Sequence, residues 1–280
     1  MSPLTVSILL RGCRLESTLK KAIVVKLGGS VYSSRDSVIT DIIRLQSEGH
    51  PVAIIHGGAS LITKWLEKQN CTTSFYEGER ITDSASLDVV TAVLAGLANK
   101  EIVSTITDAG GKAIGISGAD GGLIQGKIKD RAKGYIGSVV KIDTSPLEAI
   151  LAGGFIPVIA PVSRHSFERE PGERALLNIN GDTAAGAIAA KLYARRLVFL
   201  TDVSGIKDEN GAILGRISAS RAKELIENGV AYGGMIPKIR ACLDAVSNRI
   251  TACSIINGST LHSLYKEITE GDTGTSIYPD

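Results

Sequence analysis

Two lysines and one aspartate, each set beside glycine, are the residues of this chain best suited to chemistry. Lys26 closes an apolar run and leads into Lys26-Leu-Gly28-Gly29-Ser. A cation next to two glycines, whose backbone N–H groups stay accessible, suits phosphate oxygens. The competing reading is a strand that ends in an ordinary turn. Lys238 follows Gly233-Gly-Met235-Ile-Pro and is expected just inside a helix, with Pro237 at its first position. A solvated lysine is the usual reading there; the glycine-rich approach makes an aimed one at least its equal. Asp182 ends the stretch Asn178-Ile-Asn180-Gly-Asp182, and Thr183–Leu192 then has the small-residue texture of a tightly packed helix. If the stretch enters as a strand, residues 178, 180 and 182 point to one side. Two amides and a carboxylate would then face one cavity.

Three more glycine-rich junctions follow apolar runs: His56-Gly57-Gly58-Ala59-Ser, Ser117-Gly-Ala-Asp-Gly-Gly-Leu and Thr201-Asp202-Val203-Ser204-Gly205-Ile. At a strand-to-helix junction glycines let backbone amides approach an anion. None of these stretches fits GxxxxGK[ST] or GxGxxG, so neither a P-loop nor a dinucleotide fingerprint is supported. His56 reads as an orienting residue rather than a general base. Asp202 stands at a strand's carboxyl end, the edge of an open α/β sheet where ligands bind, although taken alone a turn-stabilising role explains it better. No cysteine, serine or histidine nucleophile has a recognisable setting. The set suits binding and neutralising phosphate, and phosphoryl transfer works mainly through positioning and electrostatics.

Short runs that are apolar on both faces are expected to carry these residues as strands: Ala22–Leu27, Val52–Ile55, Ala113–Ile116, Pro157–Pro161, Leu197–Leu200 and Ala252–Ile256. Helices are expected over Asp36–Glu48, Ser60–Lys68, Ser84–Ala109, Ser145–Ala152, Thr183–Tyr193, Ser218–Asn228 and Pro237–Ser247. Strands alternating with helices give an α/β three-layer αβα sandwich with an open, mainly parallel central sheet. Glu168–Gly172 and Asp208–Gly211 read as loop or hairpin tips. Residues 1–20 lie outside the alternating pattern and are expected to be disordered or to form an extra helix used in assembly.

Composition narrows the class. With 280 residues, 44% of them hydrophobic, the chain can bury a sizeable core. Aromatics are only 4%, which argues against base-stacking modules. A net charge of +2 on evenly mixed signs implies neither a polyanion nor an anionic membrane as partner. Cys13, Cys71, Cys242 and Cys253 show no CxxC spacing and read as reduced, small hydrophobes. The apolar run VSILL near the N-terminus is too short for a signal core or a spanning helix. A cytoplasmic location is expected.

From about Lys21 to Tyr278 the chain resembles the amino acid kinase family. The ordered motifs are VVKLGGS, IIHGGAS, GERITD, VLAGLANK, AIGISGADGGLI, IPVIAPV, NINGDTAAGAIAAKL, LTDVSGI, GGMIPKI and HSLYKEI followed by GTSIY. Within that family NINGDTAAGAIAA and GGMIPK resemble the branch whose acceptor is N-acetyl-L-glutamate. The resemblance implies transfer of the γ-phosphoryl group of ATP to that side-chain carboxylate, the second step of arginine biosynthesis. It places Lys26 and Lys238 on the migrating phosphoryl group, with Asp182 orienting both. Gly28, Gly29, Gly57 and Gly58 would supply N–H donors, and Arg80 would pair with the substrate α-carboxylate. Asn178 and Asn180 would hold the N-acyl amide and α-substituents. Thr201, Asp202, Val203, Ser204, Gly205, Lys207 and Met235 would line the ATP site, with Mg²⁺ held by phosphate oxygens and water. The implied organisation is an N-terminal extension (1–20), a substrate-binding and dimerising lobe (21–161) and an ATP lobe (162–280). A bidentate arginine suits a carboxylate, and a carboxylate nucleophile, already ionised at pH 7, needs no catalytic base.

Two residues depart from the family pattern. Ala59 replaces the third glycine of the HGGG turn, and its Cβ is expected to restrict the backbone there. Glu79 puts a carboxylate where an apolar residue commonly precedes the arginine, and strand alternation is expected to turn it to solvent. The alternatives are a kinase acting on an aminoadipate or glutamate borne by a carrier protein in lysine or ornithine synthesis, and a non-catalytic ligand sensor on the same fold. The resemblance also implies a homodimer, linked into a hexamer through residues 1–20. His262–Glu267 and Gly271–Thr275 resemble the site through which arginine inhibits some relatives.

Overall fold

The structure, a computed structural model, describes residues 22–29, 35–71, 74–76, 79–248 and 250–280; the expected assembly segment 1–20 lies outside them. In chain order the strands are β1 (Ile23–Leu27), β2 (Val52–His56), β3 (Phe75–Tyr76), β4 (Glu79–Arg80), β5 (Ala113–Ser117), β6 (Ile124–Ile128), β7 (Ile136–Ile142), β8 (Ile156–Ala160), β9 (Val162–His165), β10 (Leu176–Ile179), β11 (Arg196–Thr201), β12 (Arg216–Ser218), β13 (Ala252–Asn257) and β14 (Gly274–Tyr278). The helices are α1 (Arg35–Ser47), α2 (Ala59–Lys68), α3 (Ser84–Asp108), α4 (Ser145–Ala152), α5 (Gly181–Leu192), α6 (Ala219–Glu227), α7 (Met235–Ser247) and α8 (Ser263–Thr269).

The six apolar runs become six adjacent strands of one sheet in the order β12-β14-β13-β11-β1-β2-β8-β5, with β5 at an edge. Its neighbours are parallel except β13 and β14. The runs are apolar throughout because both faces are covered. Val24, Ile55, Leu197, Phe199 and Ile255 pack with Ala184, Ala185 and Ile188 of α5 and with Ile239 and Cys242 of α7. On the other face Ile23, Val25, Ile54, Val198 and Ile256 meet Val38, Ile39 and Ile42 of α1, Ile102 and Ile106 of α3, and Leu264 of α8. The small residues of α5 serve this packing. A Cβ on Gly186 would lie 3.1 Å from the Ala241 Cβ, so glycine there lets α5 and α7 approach closely.

The second sheet was not expected. Strands β10-β7-β6-β9 close on one another and draw polar residues such as Gln125, Lys127, Ser138 and Arg164 into strands. Their mixed composition hides the apolar alternation that marks a strand. The sheet takes strands from both sides of the expected lobe boundary after Pro161. Strands β12 and β14 and helix α8 also lay outside the expected elements. The Glu168–Gly172 tip does join the antiparallel β9 and β10, and around Asp208–Gly211 Lys207 bridges Ile213.

Helix α3 runs for 25 residues and contains an 18-residue stretch of mean hydropathy 1.4, long and apolar enough to cross a membrane. Its apolar side is used inside the protein. Val89, Val90, Val93 and Leu94 pack with Ile62 and Leu66 of α2 and with Ala160 and Val162. Its middle, Ala92–Ala98, is wound as a π-helix, and the Asn99 N–H reaches back to Leu94 O.

Candidate active site

Lys26 shares its face of β1 with Val24, the face that α5 and α7 cover. The side chain therefore runs beneath the N-terminus of α5. There Asn180 caps the helix, its Oδ1 accepting the Asp182 and Thr183 N–H groups at 2.8 and 3.2 Å. Asp182 follows in the first turn, where the helix dipole favours a carboxylate. Lys26 Nζ stands 2.8 Å from Asp182 Oδ1 as an ion pair, although that oxygen receives no well-directed hydrogen bond. Lys238 Nζ, from the first turn of α7, donates to Oδ2 at 3.0 Å and to Gly234 O at 3.1 Å. Asp182 is 5% exposed. Burial pushes its carboxyl pKa up, but the Lys26 and Lys238 charges and hydrogen bonding outweigh it, leaving the group below the usual carboxylate value. Two cations on one anion leave the cluster with net positive charge, which suits a phosphoryl group.

The cluster opens on a cavity of about 190 Å³. Lys26, Asp182, Gly29, Gly57, Gly58 and Ala59 line it together with Arg80, Asn178, Asn180, Phe75, Glu79 and Leu94. Arg80 is buried, with Nη2 donating to Ala59 O at 2.9 Å and to Thr63 Oγ1 at 2.7 Å and its guanidinium 4.5 Å from the Phe75 ring centre. Burial lowers its pKa, yet guanidinium stays charged. Asn178 Nδ2 donates to Thr82 Oγ1 at 3.1 Å, and that hydroxyl donates to Arg80 O at 2.7 Å. A fixed cation and an amide thus line the same cavity as Lys26 and Asp182, which suits an anionic ligand.

Several sequence expectations change in detail. Residues 178, 180 and 182 do line one cavity, but not by strand alternation: β10 ends at Ile179, Asn180 is the cap, and Asp182 is helical. Asn180 Oδ1 is therefore committed to the helix. The Gly28 and Gly57 N–H groups donate to Leu200 O and Leu27 O, both at 3.0 Å, so in this structure neither points to the cavity. Ala59 is the first residue of α2 and has no left-handed backbone, so its Cβ costs nothing. Space is the constraint at Gly58, where a Cβ would lie 2.7 Å from Leu94 Cδ2. Glu79 does not turn to solvent; its Oε2 meets Lys129 Nζ at 2.7 Å at the cavity wall. Pro237 is the third residue of α7, not the first, still within the turn whose N–H groups lack helical partners.

Met235 begins α7, while Thr201 ends β11 and is buried. Asp202, Val203, Ser204 and Lys207 lie exposed on the loop beyond, with Gly205 buried between them. These expected nucleotide contacts share the carboxyl edge of the sheet with Lys26 but do not line the cavity. Thr63, Thr82 and Asn99 were not singled out from the sequence. Thr82 and Asn99 lie within the quoted motifs GERITD and VLAGLANK, and Thr63 carried no signal beyond its place four residues after Ala59.

The model of the amino acid kinase family matches residues 21–257. The chain belongs to the amino acid kinase family. It is 51% identical over 255 residues to an acetylglutamate kinase of Dehalococcoides mccartyi strain CBDB1, covering 91% of this chain and 93% of the relative. An acetylglutamate kinase of Geobacter sulfurreducens is 38% identical over 274 residues, with 92% of each chain covered. Among solved structures, one from Streptococcus mutans UA159 superposes with a TM-score of 0.79 at 28% identity, covering 93% of this chain and all of the other. The family's α/β fold, a large mainly parallel sheet flanked by helices, is the architecture described above.

Proposed function

We propose that the chain transfers the γ-phosphoryl group of ATP to the side-chain carboxylate of N-acetyl-L-glutamate, the acceptor that its relatives' names imply, as a step of arginine biosynthesis. The observation that carries the reading is Asp182, held between Lys26 and Lys238, on a cavity whose wall also holds Arg80. Arg80 takes the α-carboxylate and Asn178 the N-acetyl amide, which directs the side-chain carboxylate toward the lysines. That carboxylate is ionised at neutral pH and attacks without a general base. The bond from its oxygen to γ-phosphorus forms as the bond to the β,γ-bridging oxygen breaks, giving an acyl phosphate and ADP. Lys26 and Lys238 neutralise charge on the phosphoryl oxygens in a loose transition state. Asp182 keeps the two ammonium groups apart and aimed.

ATP approaches from the loop 201–207 and the start of α7. Mg²⁺ would be held by phosphate oxygens and water and would supply charge neutralisation there; Asp182 is committed to the lysines. A panel of N-acetylglutamate, glutamate, N-acetylaspartate and carrier-bound acceptors, followed by ADP release, tests the reading. The expected result is turnover with free N-acetylglutamate, and turnover confined to a carrier-bound acceptor would overturn it.

We also infer a cytoplasmic homo-oligomer that arginine inhibits through α8 and the segment before β14. The support is the resemblance of His262–Glu267 and Gly271–Thr275 to the arginine site of some relatives; within the chain His262 Nδ1 meets the buried Asp41 at 2.7 Å. A monomeric mass in solution would refute the assembly, and an unchanged rate in millimolar arginine would refute the inhibition.

A further inference from the structure

His56 and Asn99 are both fully buried and neither lines the cavity. Asn99 Nδ2 lies 2.9 Å from Val158 O, 3.3 Å from Ile116 O and 3.2 Å from His56 Nε2. Carbonyl oxygens only accept hydrogen bonds, so the nitrogen of the amide must face them. The Lys100 ammonium, 3.2 Å from Asn99 Oδ1, fixes the same orientation from the other side. An amide nitrogen with two hydrogens and no lone pair to offer cannot accept from His56, so Nε2 faces no acceptor there and is the unprotonated nitrogen. The imidazole is left with its proton on Nδ1, where it donates to Gly57 O at 3.0 Å.

That last bond acts on the turn. A peptide is planar and trans, so the Gly58 N–H points opposite to the Gly57 carbonyl. Drawing the carbonyl toward the buried imidazole turns the Gly58 N–H away from it, to the side where Gly57, Gly58 and Ala59 line the cavity. The π-helical segment brings the parts together. Residues five apart on an α-helix lie about 140° apart around its axis, whereas i→i+5 winding returns them to nearly one face. Leu94, which covers Gly58, and Asn99, which holds His56, are five apart and joined by that N–H to carbonyl bond.

We propose that Asn99 is a positioning residue: it holds His56 in the Nδ1–H tautomer, and His56 in turn fixes the Gly57–Gly58 peptide so that the Gly58 N–H serves the reacting oxygens. The catalytic consequence rests on the transfer reaction proposed above, whereas the tautomer does not, so the two are tested separately. In ¹⁵N-histidine-labelled protein without substrates, His56 should show a protonated Nδ1 and a bare Nε2; a protonated Nε2 would overturn the proposal. For the chemistry, Asn99→Ala should lower kcat about a hundredfold, the scale of losing one aimed N–H donor. KM for ATP should stay within about twofold.

Substitutions at His56 separate positioning from simple packing. Asn places its amide nitrogen where Nδ1 was, and Gln places it where Nε2 was. His56→Asn should retain at least about tenfold more kcat than His56→Gln, and Asn99→Ala added to His56→Asn should cost less than about threefold. Equal losses in the two His56 variants, or a full loss from Asn99→Ala on His56→Asn, would show that Asn99 only packs. An inactive wild type would instead refute the transfer reaction and leave the tautomer result standing.

Discussion

Two buried carboxylates in this protein are held by opposite means. Glu267, 1% exposed in α8, is saturated. Its Oε1 receives Arg196 Nη1 at 2.6 Å, Ser254 Oγ at 2.7 Å and Ser276 Oγ at 3.0 Å, and its Oε2 receives Thr273 N at 3.1 Å and Thr273 Oγ1 at 2.8 Å. One charge is balanced by one charge, and neutral donors fill the remaining sites. Asp182 has two lysines and sits against a cavity. Saturation with single-charge balance ties strands and helix together. Excess positive charge beside open space is an arrangement held ready for a further anion.

Removing Asp182 should break the chemistry first. Asp182→Asn is expected to lower kcat by a factor of about 10² to 10³, the range for a group that organises transition-state charge. Stability should change by no more than about 1–2 kcal/mol, because Lys26 and Lys238 line or adjoin a cavity where water can solvate them. Glu267→Gln should do the reverse. Leaving Arg196 short of its partner in a buried network should cost about 3 kcal/mol, read as a lower urea midpoint, with kcat of the folded enzyme within about threefold. A similar stability loss in both variants, with similar rates, would remove the distinction.

Arg80→Lys comes next in size. The guanidinium spans Ala59 O and Thr63 Oγ1 as a planar fork of donors, whereas an ammonium has three donors at one point. KM for the acceptor should rise about tenfold or more while kcat and KM for ATP move little. An unchanged acceptor KM would place the α-carboxylate elsewhere.

Acid sharpens the same contrast. The folded-state pKa of Asp182 lies below its ordinary value of 3.8. Its ionised form is therefore favoured by folding. That contribution is fully present above about pH 4 to 5 and is lost as pH falls through the folded value. The stability difference between wild type and Asp182→Asn should hold constant from pH 8 to pH 5 in urea titrations. A difference that already changes between pH 7 and 5 would mean that the lysines do not hold Asp182 ionised.

Much of this was legible in the chain, and the exceptions have physical causes. The strands β1, β2, β5, β8, β11 and β13 could be read because strands covered on both faces are uniformly apolar. The closed sheet could not, because Gln125, Lys127 and Arg164 stand among its apolar positions. Lys26, Asp182 and Lys238 stood out because glycine and period-two spacing flag them, and the structure joins them by ion pairs. The reason given for residues 178–182 was wrong in geometry, since a cap serves as well as a strand to bring Asp182 to the cavity. The π-helical winding of α3 has no sequence signature, so the link from Asn99 to His56 had to be seen in space.

Glu79 offers the smallest and most discriminating test. It stands next to Arg80 in sequence and lines the same cavity, yet its carboxylate is taken up by Lys129, whose side chain is 50% exposed. A pair with one half in water contributes at most about 1 kcal/mol, and it leaves the Arg80 guanidinium on its own partners. Glu79→Leu should therefore change acceptor KM by less than about threefold and Tm by no more than about 2 °C. If KM instead fell tenfold, the carboxylate would be repelling the acceptor and the pairing with Lys129 would be incomplete in solution. If KM rose tenfold, Glu79 would be a direct acceptor contact, and the cavity's recognition of its ligand would extend beyond Arg80 and Asn178.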